Sequence, residues 1–222
     1  MNATKAFLLV VGVIILLASI GLLIVGLVLY GANTSLADSQ GFLSSPNQKF
    51  TSTSYAIATQ NISMNVDTGI WNQTTGDLLT LKITASSNNG KNVFIGVANK
   101  DDAQAYLNNV QYDEITHLNF NTGTTANVQY TPHQGSAPSA PLSKTFWAAS
   151  AHGAGTQTLQ WSPQTGTYWI ILMNEDASAG IDDTIKLGAK IPLLSTIGVW
   201  LLMVGFVALA VAIIMLYFGV RH

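Results

Sequence analysis

Acidic residues come mostly in adjacent pairs, and one group of them offers the ligand types that calcium prefers. Eight of the eleven acidic side chains stand next to another acidic residue. Calcium takes about six to eight oxygen ligands, which carboxylates, side-chain amides and backbone carbonyls supply. The densest such group predicts a calcium patch at Asn174, Glu175, Asp176, Asp182 and Asp183.

Two features of the same group argue against a bound cation. No Asp-x-Asp-x-Asp spacing is present, and neighbouring side chains on a strand point to opposite faces. Asp and Asn also favour turns for reasons unrelated to metals. We therefore expect no cofactor, with calcium as the open alternative.

The residue types needed for catalysis are sparse and poorly spaced. No cysteine occurs, which excludes disulfides, thiolate chemistry and Cys-ligated zinc, and no Gly-x-Ser-x-Gly elbow is present. A carboxylate pair of the glycosidase kind is placed by the fold and stays open. Tryptophan rings could stack on sugars, although in β-domains they usually belong to the core. We predict a protein that is not an enzyme; no two of its histidines have metal-ligand spacing, and the side chains weighed were His117, His133, His152, His222, Trp71, Trp147 and Trp161.

Two charge-free apolar runs, 6–30 and 191–218, dominate the ends of the sequence. A helix of about 20 residues crosses a hydrocarbon core of about 30 Å, so both runs predict membrane spans. The first is longer than a signal-peptide core, and we expect it to remain as an anchor. Neither run holds an ionisable side chain, which argues against a transporter or pump. The predicted layout is a cytoplasmic start (1–5), a first span (6–30), a stalk (31–48), an extracytoplasmic β-sandwich (49–190), a second span (191–218) and a cytoplasmic end (219–222).

Flanking charges give the predicted orientation. Lys5 and Arg221 lie outside the two runs on one side, whereas Lys186 and Lys190 precede the second run on the other. The first helix usually sets the orientation, and long loops cross largely regardless of charge. We therefore place both termini in the cytoplasm and the middle segment outside. Asn-x-Ser/Thr acceptor sequences, relevant only outside, occur at Asn33, Asn61 and Asn72.

Small residues recur at intervals of seven on both runs. Seven residues return to nearly the same face of a helix, so each run gains one groove where another backbone can approach. Small-residue faces are a common means of helix association in lipid. The pattern predicts an antiparallel hairpin of the two spans, although Gly and Ala are also simply common in membrane helices. The residues are Gly12, Ser19 and Gly26 on the first run, and Gly198, Gly205 and Ala212 on the second, with Ala208 beside them.

The middle segment is polar, low in charge and patterned for short strands. It offers no basic surface for nucleic acid. Residues 77–85 alternate apolar and polar side chains, and a Ser-Asn-Asn-Gly turn leads to residues 92–98, so this pair predicts a hairpin. Acidic residues at its start predict one short helix at 101–107. Eight or nine strands, one of them at 144–151, predict a mainly β domain, an antiparallel β-sandwich of jelly-roll or immunoglobulin-like kind.

The strand at 167–173 is apolar on both faces. In a two-layer sandwich one face of a strand meets the core and the other normally meets water. A loop or the short helix of the same chain could cover the second face. Alternatively, Trp169, Ile171 and Met173 form an interaction face for another copy or for lipid headgroups.

Several phrases resemble a set of prokaryotic membrane proteins of actinobacterial and archaeal type. The phrases are FIGVANKDDAQAYLNNVQYDEIT, TFWAASAHGAGTQTLQW, GTYWIILMNEDASAGI and LGAKIPLLSTIG. The resemblance covers about half the chain, from Val93 to Gly198, and implies a β-domain between two spans but no activity. His152 stands where the set has a small polar residue, so it is not a shared catalytic group. The set shares a Trp-x-x-x-Met-Asn-x-Asp-x-Ser phrase, here Trp169, Met173, Asn174, Asp176 and Ser178.

These observations lead to two functional expectations. The first is a non-enzymatic, membrane-anchored surface protein whose sandwich self-associates or docks a protein partner at the envelope. The alternative is an extracytoplasmic module that binds a glycan or another small ligand, with calcium as an aid. Membrane lipid is a partner in both cases, and nucleic acid in neither.

Overall fold

A computed structural model describes residues 3–59, 61–64, 79–119 and 127–221. Trp71, Asn72 and His222 lie outside the described residues. The chain divides into two compact units, one made of 1–41 with 191–222 and the other of 42–190. The first is helical and the second is mainly β-sheet, so the predicted fold class is confirmed.

The helical unit consists of α1 (Ala3–Ser35) and the C-terminal helix (Pro192–Val220). The most apolar parts of the two helices reach a mean hydropathy of 3.2 and 2.9. Both helices are long and apolar enough to cross a membrane, which agrees with a two-pass membrane protein.

The small residues of the two long helices lie where the helices meet. A Cβ on Gly26 would stand 3.1 Å from the carbonyl oxygen of Gly198, and one on Gly12 would stand 3.0 Å from the side chain of Leu216. The pairing runs antiparallel because higher numbers on one helix meet lower numbers on the other. The predicted positions Gly12, Ser19, Gly26, Gly198, Gly205 and Ala212 are buried, and Ala208 is half-buried. The heptad spacing therefore accounts for the close approach of the two backbones.

The β unit contains twelve described strands in two sheets. Sheet A has the order β10-β5-β12, with β1 and β2 both pairing to β12; sheet B has the order β8-β7-β3-β11-β6-β9, with β4 on β11. Every pairing between the named strands is antiparallel except β3 with β7. One short helix, α2 (Lys100–Leu107), follows β6, and the C-terminal helix is α3. The strands are β1 (Leu43–Ser44), β2 (Gln48–Ser52), β3 (Ala56–Thr59), β4 (Ile62–Met64), β5 (Thr80–Ser87), β6 (Val93–Asn99), β7 (Tyr112–Asn119), β8 (Asn127–His133), β9 (Ala149–Gly153), β10 (Thr156–Trp161), β11 (Gly166–Asn174) and β12 (Ile181–Lys190).

Two predicted segments differ in the structure. The connection predicted at 31–48 is shorter, because α1 continues to Ser35 and β1 already pairs with β12. The strand predicted at 144–151 is wrong in its first half, since β9 begins only at Ala149. Phe146 and Trp147 instead pack on the outer side of sheet B. Apolar residues in sequence therefore marked a covering loop here rather than a strand.

Two apolar clusters hold the β unit together. The first lies between the sheets and joins residues of both, among them Ile83, Ile95 and Leu172. The second lies on the opposite side of sheet B, where α2 contributes Tyr106 and Leu107. Strand β11 supplies both clusters from its two faces. Within the described residues, a third layer thus covers the outer side of sheet B.

Candidate functional site

The third layer begins with α2. Asp101 and Asp102 occupy its first turn, where the helix dipole favours acidic side chains. Ala103, Tyr106 and Leu107 are buried against sheet B. The helix ends at Leu107, and Asn109 adopts a left-handed backbone with φ 59°. Asparagine tolerates that conformation better than most residues, so the chain can turn sharply into β7.

A polar cleft of ≈ 400 Å³ opens where α2 ends. Its polar side chains are mainly amides, and its apolar lining combines the aliphatic Leu107 and Val110 with aromatic rings. Amides both donate and accept hydrogen bonds, and aromatic rings offer flat apolar surface. The arrangement suits a neutral ligand with many hydroxyl or amide groups. The amides are those of Gln104, Asn108, Asn109 and Gln134, and the rings those of Tyr112, His133 and Trp169.

The rim of the cleft is fixed by two crossing loops. The Ser136 amide donates to the Asn109 carbonyl at 2.8 Å, and the Gln111 amide donates to the Ser136 carbonyl at 3.1 Å. Between them, a Cβ on Gly135 would stand 2.3 Å from the Asn109 carbonyl oxygen. Any side chain at Gly135 would therefore force the two loops apart. The rim positions Asn108, Asn109 and Gln134 without help from a ligand.

One wall of the cleft is an ordered aromatic stack. The rings of Tyr112 and His133 lie 4.3 Å apart and within 2° of parallel. His133 Nε2 lies 2.8 Å from Glu114 Oε2, and the Glu114 side chain is only 15% exposed. Stacking and the carboxylate together fix the imidazole plane. The histidine is thereby held as a flat wall rather than as a mobile base.

Trp169 adds a buried donor beside the cleft. The residue is 2% exposed, and its Nε1 has no hydrogen-bond partner within the described part of the chain. Buried indole N–H groups usually find an acceptor, and leaving one unmade costs about 1–3 kcal/mol. Trp169 is also a lining residue of the cleft, so an unpaired buried donor belongs to the residues that form it.

The predicted calcium patch is divided by the pleat of β12. Asp182 faces outward, where its Oδ1 accepts from Asn88 Nδ2 at 2.9 Å and pairs with Lys49 Nζ at 3.1 Å. Asp183 faces the sheet interior, is 1% exposed, and has no partner for either oxygen among the described residues. Burial raises the pKa of Asp183 to about 7, with a smaller contribution from the neighbouring Asp182 charge.

The remaining members of the patch shape a turn. Asn174 Nδ2 donates to the carbonyls of Ser178 at 2.7 Å and Gly180 at 3.1 Å. Glu175 Oε1 lies 3.0 Å from His152 Nδ1, and Asp176 Oδ1 accepts from the Ser178 amide at 3.0 Å. These contacts engage Glu175 Oε1 and Asp176 Oδ1, whereas Glu175 Oε2 is buried with no partner among the described residues. Nowhere in the described ranges do three or more His, Cys, Asp or Glu residues converge to hold a metal.

The face of β11 that could bind another copy or lipid headgroups is covered in the structure, which corrects the expectation of an interaction face there. Trp169, Ile171 and Met173 are 2%, 0% and 0% exposed. They pack under α2 and under the loop that carries Phe146 and Trp147. The alternative considered for this strand, a cover from the same chain, applies. The doubly apolar pattern arose because sheet B has a layer on each side.

The cleft itself was not identified from sequence. Its amides come from α2, from the turn after it and from the residue after β8, so only the crossing of the loops brings them together. The one available sign was the Asn108-Asn109 pair directly after a short helix, a combination typical of a helix end followed by a left-handed turn. No sequence pattern indicates that Gln134 joins them.

Known protein-family models and curated proteins provide no match to this chain. The phrase that resembles prokaryotic two-span proteins has a structural explanation. Trp169 and Met173 fill the outer cluster, while Asn174 and Asp176 hold the turn after β11. Ser178 closes that turn by accepting from Lys91 Nζ at 3.0 Å. The phrase therefore describes the end of β11 and its turn.

Proposed function

We propose that this chain is a two-pass envelope protein whose β-sandwich binds a neutral, hydroxyl-rich ligand of the glycan class. The single observation that carries the proposal is the cleft at the end of α2. Its preset amides and its stacked ring wall match the groups that recognise sugars, which present hydroxyls at their edges and apolar C–H faces.

Charge supports a neutral ligand over an ionic one. The one acid–base pair at the cleft, His133 with Glu114, is satisfied internally at 2.8 Å. Neither Lys nor Arg lines the cleft among the residues described. An anionic ligand would therefore find no counter-charge. A neutral ligand would exchange bonds to water for bonds to amides at little desolvation cost.

The proposed position of the β unit is outside the cell, with both termini in the cytoplasm. Lys5 and Arg221 on the terminal side, together with the dominance of the first span, support this orientation. Asn61, one of the acceptor sequences, is exposed with a left-handed backbone at φ 51°. The chain has no cysteine, so a single cysteine introduced at exposed Asn88 should react with an impermeant maleimide on intact cells.

The proposed role is non-enzymatic. His133 and His152 each bond one glutamate, at 2.8 Å and 3.0 Å. Among the described residues, neither imidazole bonds a hydroxyl that it could activate, and the two lie on different strands, β8 and β9. The cleft residues therefore support recognition rather than turnover.

Self-association or protein docking is the other role expected from sequence. The surface that motivated it, the outer face of β11, lies beneath α2. A protein partner would therefore have to use polar surface such as the rim of the cleft. Cross-linking in native membranes tests this role directly, and a discrete cross-linked species would favour it over ligand binding.

The test of the proposal is a sugar titration of the full chain in mild detergent. Soluble N-acetylhexosamine oligomers and neutral hexose oligomers are added, and tryptophan fluorescence and thermal unfolding are followed. We expect saturable binding for at least one oligomer. Replacing one amide, Gln134→Ala, should weaken it about tenfold, which corresponds to about 1.4 kcal/mol.

The matched control is Gln129→Ala, which removes an exposed amide from β8 away from the cleft. Its affinity should equal that of the unchanged protein. Flat titrations for every oligomer would refute the ligand class. If both variants lost the same affinity, the proposed binding site in the cleft would be wrong.

A further inference from the structure

One asparagine of the β unit stands directly before a glycine, in the loop that joins β5 to β6. The sequence has no Asn-Gly pair besides Asn89 and Gly90, and both residues are exposed. Gly90 has a left-handed backbone with φ 80°, and apart from its chain neighbours nothing lies within 4 Å of the place that a Cβ would take. Neither a side chain of its own nor a group packed at that place therefore hinders an approach to the backbone nitrogen of Gly90.

The side-chain carbonyl of Asn89 accepts two hydrogen bonds within the same loop. Ser87 Oγ donates to Asn89 Oδ1 at 2.8 Å, and the backbone N–H of Lys91 donates to the same oxygen at 3.1 Å. Donors that converge on a carbonyl oxygen stabilise the negative charge that develops there when a nucleophile attacks the carbon. The loop therefore holds the Asn89 amide in a two-donor arrangement of the oxyanion-hole kind.

The nitrogen of the same amide joins the loop to the turn that follows β11. Asn89 Nδ2 donates to the carbonyl oxygen of Gly180 at 3.0 Å. Gly180 in turn donates its backbone N–H to the carbonyl of Ser54 at 3.0 Å. A carbonyl oxygen can only accept, so this contact requires an N–H donor at position 89. The link between loop and turn therefore depends on the side-chain amide of Asn89.

We propose that the chain modifies itself at Asn89, by an intramolecular deamidation that yields aspartate and isoaspartate. The backbone nitrogen of Gly90 gives its proton to hydroxide and attacks Asn89 Cγ, so that a C–N bond forms and the negative charge passes to Oδ1, beside Ser87 Oγ and the Lys91 N–H. As the charge returns, the bond from Cγ to Nδ2 breaks, and Nδ2 takes a proton from water and leaves as ammonia. Water then opens the succinimide ring that remains, at Cγ to give aspartate or at the backbone carbonyl to give isoaspartate.

The product lacks the donor that reached the Gly180 carbonyl. A carboxylate at position 89 carries only acceptors, so it would set acceptor against acceptor at this contact. The separate bond from the Asn88 backbone N–H to the Asp182 carbonyl, at 2.7 Å, does not involve the modified side chain. The modification therefore releases the turn after β11 from the loop and leaves the pairing of sheet A in place. The inference does not depend on the cleft or on which side of the membrane the β unit occupies.

The experiment follows the full chain in mild detergent over time, at neutral and at mildly alkaline pH. Mass spectrometry with electron-transfer fragmentation distinguishes asparagine, aspartate and isoaspartate at each position. We expect both products to accumulate at Asn89, faster at the higher pH because the attacking nitrogen must lose its proton. Asn88, Asn109 and Asn174, which precede larger residues, should stay intact over the same period. Absence of both products at Asn89, or equal conversion at the other three asparagines, would overturn the proposal.

Two serine variants separate assistance by the loop from the ordinary reaction of an exposed amide. Ser87→Ala removes one of the two donors to Asn89 Oδ1 and should slow the formation of both products several-fold. Ser86→Ala removes the neighbouring hydroxyl of β5 and should leave the rate unchanged. If the hydrogen bond only restrained the amide, Ser87→Ala would react faster. An unchanged or faster rate in Ser87→Ala would therefore overturn the assignment of an oxyanion-hole arrangement.

A third variant, Asn89→Asp, supplies the aspartate product directly and tests the link to the turn. Hydrogen–deuterium exchange is measured at the Gly180 amide, which bonds the Ser54 carbonyl. We expect this amide to exchange several-fold faster in Asn89→Asp, and in the incubated protein, than in the fresh chain. The amide of Ile83, in the middle of β5, is the internal control and should exchange equally in all three. Equal exchange at Gly180 would overturn the proposed release of the turn.

Discussion

The two sheets of the sandwich differ in how many faces they bury. On β11 of sheet B, successive residues enter different apolar clusters, so Trp169 and Ile171 are as inaccessible as Leu172. On β12 of sheet A, inward and outward residues alternate, and the outward ones are at least partly exposed except for Gly188. A sheet with one wet face presents its own side chains as a surface. A sheet with two covered faces can bind only through the layer that covers it.

That difference determines what each sheet can present to a partner. The outward face of sheet A consists of its own side chains, and its pattern can be read along β12 and β5. The cleft belongs to the third layer on sheet B, where the end of α2 meets the loop after β8. Substitutions at equivalent outward positions of the two sheets should therefore change the free energy of unfolding by unequal amounts.

The largest difference in stability between the two sheets is expected when an outward side chain is truncated. Ile171→Ala, on the outward face of sheet B, removes a side chain that is 0% exposed and should cost about 2–5 kcal/mol. Thr84→Ala, on the outward face of sheet A, removes only an exposed hydroxyl contact of 3.4 Å and should change stability by less than about 0.5 kcal/mol. Denaturant unfolding of the full chain, followed by tryptophan fluorescence, measures both. Equal costs would mean that α2 does not cover sheet B.

Two parts of this contrast follow from the sequence: the fold class, and the burial of both faces of β11. Charge-free runs identified the long helices, and alternation identified strands such as β5 and β12. The apolar pattern of β11 predicted a cover without saying what supplied it. Trp147 and Phe146 were assigned to a strand because periodicity does not distinguish a buried strand from a covering loop.

The candidate sites were harder to predict because they depend on packing. Alternation on a strand already implied that Asp182 and Asp183 point apart, and the structure gives them unlike surroundings. The cleft depends on the crossing of Gly135 over Asn109, a contact between backbones that no periodicity encodes. Residue types were therefore visible in the sequence, but their convergence was not.

The next largest effect concerns how stability depends on pH, which should have opposite signs for the adjacent aspartates of β12. Asp183 has a pKa of about 7 in the fold and 3.8 as an ordinary carboxyl, so the folded state holds the proton more tightly. The free energy of unfolding should therefore fall as pH rises from about 4 to 7 and then level off. Asp183→Asn should remove this fall and stabilise the chain by up to about 4 kcal/mol at pH 8, with little effect below pH 4. Denaturant midpoints across pH measure it.

Asp182→Asn is the matched control on the opposite face. The hydrogen bond from Asn88 and the charge of Lys49 lower the pKa of Asp182, so its stabilisation is present above pH 4 and disappears as the carboxyl is protonated. Because the pair is largely solvated, its loss should cost less than about 1 kcal/mol and should shrink with salt. Parallel pH profiles for the two variants would contradict the placement of Asp183 inside the sheet.

The smallest predicted contrast uses one added methyl group on each sheet. A Cβ at Gly96, outward on sheet B, would meet the Trp147 ring at 2.6 Å, whereas a Cβ at Gly188, outward on sheet A, would meet Lys82 side-chain atoms at 3.4 Å. Gly96→Ala should cost about 1–3 kcal/mol because the indole cannot move without disturbing the layer above sheet B. Gly188→Ala makes only ordinary contacts with a flexible side chain and should stay within about 0.5 kcal/mol. Thermal unfolding of the two variants measures the contrast, and a tolerated Gly96→Ala would show that Trp147 does not seal the outer face.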